Sequence, residues 1–344
     1  MKTRITEIFK IKYPILLSGM SWISVPKMVA AVSNAGGLGI LATGPLDPEQ
    51  TKQAIREIRK LTDKPFGANA TLLFPGAALN AKVCLDEQVP VINFSLGKGD
   101  WIVKAAHEYG GKVIATVVNE RHARRAQDFG TDAVLVTGHE AAAHGGDATS
   151  LVLVPAIVDA VKIPVVAAGG FADGRGLAAA LALGAEGIAM GTRFMTTEDS
   201  PLHDYYKELS IGKGINDTLY SERFDGMGCR VLDTPAARKA IKKGLDLPAA
   251  FFSSQDIAKQ LKLPYMKLFL GVLASGWKNA KQLAFMANAF KAIRIATEEG
   301  DHKKGVLTVG QATGLVRDIP TVDELIKRIV KDAEESQKRL QKVF

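Results

Sequence analysis

Apolar runs of four to eight residues alternate with longer stretches of helical periodicity along the first two-thirds of the chain. Tyr13 to Met20 reads as a strand and Pro26 to Asn34 as a helix stopped by Gly36-Gly37, after which Leu38 to Thr43 is the next strand. Asp47 to Leu61 predicts an amphipathic helix, opened by Asp47 as N-cap with Pro48 in the first turn. The pattern continues with strand 66–73, a helix over 77–87, strand 91–95, helix 101–109, strand 113–118, helix 120–129, strand 133–136 and helix 152–161. Pro164 to Ala168 and Gly187 to Met190 are the last two strands, joined by a small-residue helix over Gly174 to Leu183. Eight strands, each followed by a helix or its replacement, predict a parallel sheet closed into a (β/α)8 TIM barrel.

After Arg193-Phe194 the alternation stops. Residues 200 to 304 show helical patterning without clear strands, broken by Pro235, Pro248 and Pro264. The expectation is a helical insertion, or lid, after strand eight, with residues 1–199 and 305–344 forming the barrel. Thr321 followed by Glu324 is a capping-box signature for a closing helix.

Composition adds little to this picture until it is resolved along the chain. With 47% hydrophobic and 23% charged residues the 344-residue chain is an ordinary globular one. It has no apolar run long enough for a membrane span and no signal-peptide-like start, so the expected location is the cytoplasm. Cys84 and Cys229, the only cysteines, support neither a disulfide framework nor a structural zinc site, and no His/Asp/Glu spacing argues for a metal. The formal charge of +8 is concentrated: Arg238 to Lys304 holds thirteen basic and five acidic residues, while the rest of the chain is balanced. That asymmetry points to an anionic partner for the insertion or to a solvated basic face. Neither a nucleic acid nor a membrane-spanning partner is expected.

Candidate chemistry gathers at the carboxyl ends of the strands. Gly169-Gly170 and Gly191-Thr192 end the last two strands, where such barrels commonly bind a phosphate through main-chain N–H groups. Ala168 and Met190 immediately precede these pairs. Gly37-Leu38-Gly39-Ile40-Leu41-Ala42 matches a dinucleotide fingerprint only on paper, because it enters a strand. The loop Gly138 to Gly146 carries His139, Glu140, Ala142 and His144 between glycines, and His144 is well placed for proton transfer near neutral pH. Ser18-Gly19-Met20 would suit a flat ring packed on backbone, and Asn69 would read a heterocycle edge. A phosphate-binding barrel without redox chemistry accommodates the same residues.

Taken together, Pro14 to Met20, Asn34 to Gly39, Pro65 to Asn69, Glu140 to His144, Ala167 to Phe194 and Gly310-Gln311 resemble the nitronate monooxygenase (2-nitropropane dioxygenase) family of FMN-dependent barrels. The resemblance implies FMN as cofactor. Gly169, Gly170, Gly191 and Thr192 would hold its phosphate, Ser18, Gly19, Met20, Asn69, Ala142, Ala168 and Met190 would line the site, and His144 would be the catalytic base. It implies oxidation of alkyl nitronates with O2 as the first expectation. Desaturation of an acyl-CoA, reduction of an enoyl-acyl-carrier-protein, and NAD(P)H:quinone reduction are the alternatives. Partners would be a small nitronate or acyl thioester, O2 or NAD(P)H, and a second copy in a homodimer. Two features depart from the family pattern. Ala141 to Ala143 replace the residues of Glu-Ala-Gly-Gly-His before His144, and the lysine common near Thr116 is missing. The stretch Arg223 to Met227, continuing to Leu232, further resembles a branch acting on acyl-CoA in steroid-ring degradation.

Overall fold

The computed structural model describes residues 1–142, 144–274 and 276–343, without the side chains of Lys267, Leu268 and Leu273. Eight strand–helix units run in order: β1 (Ile15–Leu17), α2 (Pro26–Asn34), β2 (Gly39–Ala42), α3 (Pro48–Leu61), β3 (Phe66–Thr71), α4 (Ala77–Asp86), β4 (Val91–Ser95) and α5 (Asp100–Glu108) form the first half, preceded by α1 (Arg4–Phe9). The second half holds β5 (Lys112–Val117), α6 (Glu120–Asp128), β6 (Ala133–Thr137), α7 (Ser150–Ala160), β7 (Val165–Ala168), α8 (Gly174–Ala182) and β8 (Gly187–Met190), with the short α9 (Thr192–Met195) after it. Every neighbouring pair from β2 round to β8 and on to β1 is parallel. A bridge between Leu16 and Leu38, with the Leu17 N–H donating to the Leu38 carbonyl at 2.9 Å, joins β1 to β2 and closes the ring.

Alternation along each strand divides its side chains between two apolar layers. Ile15, Leu17, Ile92, Val113, Val134, Val165 and Ile188 face the surrounding helices. Leu16, Ile40, Val91, Ile114, Leu135, Val166 and Ala189 fill the barrel interior, together with Ile5 and Phe9 of α1. The amino-terminal helix is therefore a plug at the amino ends of the strands, with each fully buried side chain worth about 1.5–3 kcal/mol. Thr3 caps it in a reciprocal capping box with Thr6. With one end stopped, the barrel offers a ligand only its carboxyl end.

The predicted caps are present: Asp47 with Gln50 opens α3, and Thr321 with Glu324 opens α15 (Val322–Gln341), which packs on α8 and α2 as the closing helix. In between lie α10 (Asp204–Ile211), β9 (Thr218–Ser221), β10 (Cys229–Leu232), α11 (Pro235–Lys243), α12 (Leu247–Gln260), α13 (Tyr265–Ala274) and α14 (Trp277–Arg294). The antiparallel hairpin β9–β10 corrects the strandless reading of this segment. Its sequence, Thr-Leu-Tyr-Ser then Cys-Arg-Val-Leu, has the β-branched and aromatic content of strands, around a turn containing Gly226 and Gly228. β9 remains partly exposed, so it lacks the continuous apolar run that marked the barrel strands.

The inserted helices are tied to the barrel rim at several points. Lys262, beyond α12, pairs at 2.7 Å with the buried carboxylate of Asp47, and the Gln260 amide donates to the Pro45 carbonyl at 2.9 Å. Burial raises the Asp47 carboxyl, but the Lys262 and Gln50 contacts hold it below its ordinary value. Trp22 packs edge-on against Phe290 of α14 with ring centroids 4.4 Å apart. No helix among the described residues is long and apolar enough to cross a membrane.

Candidate active site

The upper layers of the barrel interior change from apolar to polar. Asn69, Thr71, Asn93, Ser95 and Thr116 occupy inward positions on β3, β4 and β5 above Val91 and Ile114. The Asn69 Nδ2 donates to Asn93 Oδ1 at 2.6 Å, and Asn93 Nδ2 donates to Thr116 Oγ1 at 3.0 Å. Thr71 Oγ1 donates to Asn69 Oδ1 at 3.1 Å, and Ser95 Oγ donates to Thr71 Oγ1 at 3.3 Å. Asn69 thus spends one amide hydrogen and one lone pair inside this network, leaving one of each for a ligand. Asn93 was not singled out from sequence; its signal was one amide in the otherwise apolar Val-Ile-Asn-Phe. The Thr116 hydroxyl extends the neutral network.

At the β7 and β8 ends, Gly169 and Gly170 adopt φ of +101° and +84°, a region that favours glycine. A Cβ on Gly169 would lie 3.1 Å from the main chain of Gly138 and from Ser150 Oγ. The N–H groups of Gly170, Gly191 and Thr192 have no main-chain partner among the described residues. Open N–H groups beside a left-handed glycine turn make an anion-sized cradle. Met20 Sδ lies over Gly191, 3.3 Å from where a Cβ would be. Ser18 donates its N–H to the Met190 carbonyl at 3.1 Å, and Gly19 lies flush against the Asn69 side chain. Ala168 faces the barrel interior, whereas the Met190 side chain turns into the helix layer and leaves only its main chain toward the mouth. Arg193 is spent inside the fold, donating to Asp318 Oδ1 at 2.6 Å.

The loop after β6 is fastened on three sides. The Glu140 carboxylate accepts from the N–H and hydroxyl of Ser150 at the start of α7, each at 3.0 Å. Its carbonyl accepts from the Gln311 N–H at 2.9 Å, and the Gly310 N–H donates to Thr192 Oγ1 at 2.9 Å. The third fastening comes from the hairpin. The Arg230 N–H donates to the Ala142 carbonyl at 2.8 Å, and Arg230 Nη2 donates to the His139 carbonyl at 3.1 Å. Burial lowers the pKa of Arg230, opposed by the nearby Tyr220 and Glu140. His139 itself is held, with Nδ1 3.1 Å from the Gly146 carbonyl and its ring against Tyr220.

His144 has a φ of +26°, rare for a side-chain-bearing residue, and its Nε2 lies 2.7 Å from Asp225 Oδ2 in the β9–β10 turn. Both side chains are largely shielded, at 23% and 12% exposure. Asp225 was read from sequence only as part of a motif, never as a partner of His144. Ala141 and Ala142 precede this histidine in the loop; Ala143 lies outside the described residues. Cys229 is buried below the same turn, and burial followed by the Asp225 charge raises its thiol pKa, so it remains a neutral thiol. That removes it as a nucleophile. Across the described residues no group of three or more His, Cys, Asp or Glu could hold a metal.

The chain matches the family model described as nitronate monooxygenase over residues 2–82 and 77–332. It is similar to "(3aS,4S,5R,7aS)-5-hydroxy-7a-methyl-1-oxo-octahydro-1H-indene-4-carboxyl-CoA dehydrogenase" of Rhodococcus jostii (strain RHA1), with 37% identity over 97% of this chain and 96% of that protein. A probable nitronate monooxygenase of Staphylococcus aureus (strain MSSA476) is 30% identical over 72% of this chain and 82% of its own length. Among solved structures, FabK from Thermotoga maritima superposes with a TM-score of 0.83 at 38% identity, covering 100% of both chains.

Proposed function

The chain belongs to the nitronate monooxygenase family of oxidoreductases, and on that premise we propose that it is an FMN-dependent dehydrogenase of a CoA thioester. The observation that carries this reading is that the β9–β10 turn meeting the His144 ring through Asp225 is held in turn by α14 of the basic stretch, whose Gln282 amide donates to the Asp225 carbonyl at 2.9 Å. A substrate that reaches His144 would therefore lie beside the stretch Arg238 to Lys304, which holds thirteen basic and five acidic residues, far more cationic surface than a small nitronate needs. Similarity to a CoA dehydrogenase over nearly the whole chain, insertion included, supports the same substrate class.

The residues suit FMN. The main-chain N–H groups of Gly170, Gly191 and Thr192 would hold its phosphate, because the glycines leave them open. Ser18, Gly19, Met20, Ala142, Ala168 and Asn69 would line the ring, with Met190 contributing main chain. Bound FMN would accept the two electrons removed from the substrate. His144 would take the acidic proton from the carbon beside the thioester carbonyl, the role a positioned imidazole fills in general-base catalysis. The Asn69–Asn93–Thr116 network keeps the floor polar without adding charge.

Salt tests the anion component. Lys278 and Lys281 lie in the first turns of α14, beside Gln282, and neither has an ion pair among the described residues. Lys243, by contrast, already pairs with Asp246. As ionic strength rises from 0.01 to 0.15 M the Debye length falls from about 30 to about 8 Å. CoA binding to the FMN-loaded protein, followed by calorimetry, is expected to weaken about tenfold over that range, about 1.4 kcal/mol. Lys278→Gln with Lys281→Gln should flatten the dependence. Salt-independent binding, or none at low salt, contradicts the CoA reading.

A further inference from the structure

We infer that Asp225 is the positioning residue for His144, holding it in the tautomer whose Nδ1 exchanges the substrate proton, and that helix α14 controls the pair by gripping the Asp225–Gly226 turn. This rests on His144 being the base of the proposed reaction, and it adds which nitrogen acts and what sets it.

An ionised carboxylate only accepts hydrogen bonds, so the 2.7 Å contact between Nε2 and Asp225 Oδ2 requires the hydrogen on Nε2. The lone pair available to a substrate is then on Nδ1. Asp225 is itself fixed. Its other carboxylate oxygen accepts from the Met227 N–H at 3.0 Å, the residue is 8% exposed, and His144 is its only ion-pair partner among the described residues. Cys229, the other ionisable side chain close to it, stays a neutral thiol. When His144 takes a proton, the nearby carboxylate faces the new imidazolium and stabilises it, the orienting role of the third member of a nucleophile–base constellation. Asp225 is the only hydrogen-bond partner of the His144 ring among the described residues, so the ring direction is set from outside the loop.

The source of that constraint is the insertion. Gln282 of α14 donates its amide to the Asp225 carbonyl at 2.9 Å. Gly226, at φ +87°, lies so close that a Cβ would be 2.9 Å from the Gln282 amide and 3.0 Å from Phe285 Cβ. The same helix packs on Trp22 through Phe290, above the first barrel loop. Helix α14 thus touches both Trp22, in the loop after β1, and the residue that aims the base. A substrate that shifts α14 also shifts Asp225.

The imidazole can be read without any substrate. In FMN-loaded protein carrying 15N-histidine, with the His144 signals assigned by their loss in His144→Ala, the wild type should show Nε2 protonated and Nδ1 bare. Asp225→Asn, whose amide can donate as well as accept, should populate both tautomers and lower turnover of a saturated acyl-CoA by about 10²-fold or more, with FMN content and KM little changed. Gln282→Ala, the milder change, should shift the tautomer ratio in the same direction. An Asp225→Asn protein that keeps the wild-type tautomer and rate overturns the positioning role, and an unchanged Gln282→Ala protein overturns the control by α14. A shifted tautomer in a protein that turns over no acyl-CoA upholds the inference and rejects the CoA substrate.

Discussion

Replacing His144 with alanine is expected to lower turnover by about 10²- to 10⁴-fold while leaving FMN bound, because positioned proton transfer typically contributes that much to rate. The substitution would remove a partly shielded imidazole, and the other titratable groups of its loop and hairpin are otherwise engaged. Glu140 is committed to Ser150, and the Cys229 thiol is held neutral by burial. His139 is the internal control. Its Nδ1 faces the Gly146 carbonyl and its ring packs on Tyr220, so His139→Ala should loosen the loop and cost far less in rate. Rapid-mixing measurements of flavin reduction, with flavin content determined on the same samples, separate the two variants. Equal and small effects would remove His144 from the chemistry.

Introducing aspartate at Gly191 should abolish FMN binding in a protein that still folds. Gly191 has an ordinary negative φ, and its added Cβ would meet only the flexible Met20 Sδ, at 3.3 Å. The substitution therefore tests charge with little steric confusion. Alanine at Gly169, where φ is +101°, would strain the backbone and confound binding with stability. Two unit charges 4 Å apart repel by about 4 kcal/mol at an effective dielectric constant of 20. A phosphate monoester carries between one and two charges at neutral pH, so FMN affinity should fall at least about 10³-fold. Purified Gly191→Asp protein should be colourless with wild-type circular dichroism. Stoichiometric flavin in the folded variant would contradict a phosphate at the Gly169-Gly170 and Gly191-Thr192 turns.

What the sequence revealed of the barrel follows from how directly each feature depends on local chemistry. Strands such as Val165–Ala168 and Val134–Val136 are buried on both faces, so they stand out as short apolar runs between amphipathic helices. The caps at Asp47 and Thr321 are written within four residues. The paired glycines at β7 and β8 are visible because a main-chain cradle demands a residue type, not a distant partner. The hairpin was missed because β9 is partly exposed and β10 gains its burial from contacts made elsewhere in the chain. The plug formed by Ile5 and Phe9 was missed for a related reason, since a six-residue helix is too short to show a periodic stripe. Asp225 could not be paired with His144 from sequence: 81 residues separate them, and the docking of the hairpin on the loop through Arg230, with Gly226 packed on α14, brings them together. Asn69 shows the converse limit. Its polarity was legible, but its use in a network with Asn93 and Thr71 was not.

The most direct measurement is anaerobic mixing of the FMN-loaded protein with one substrate at a time, following the visible absorbance of the flavin. A saturated acyl-CoA is predicted to bleach the flavin in a single turnover, the His144→Ala protein should bleach about 10²- to 10⁴-fold more slowly, and a simple alkyl nitronate should be the poorer reductant. Rapid bleaching by the nitronate, with the flavin left oxidised by every CoA thioester, would contradict the account and return this chain to the chemistry for which its family is named.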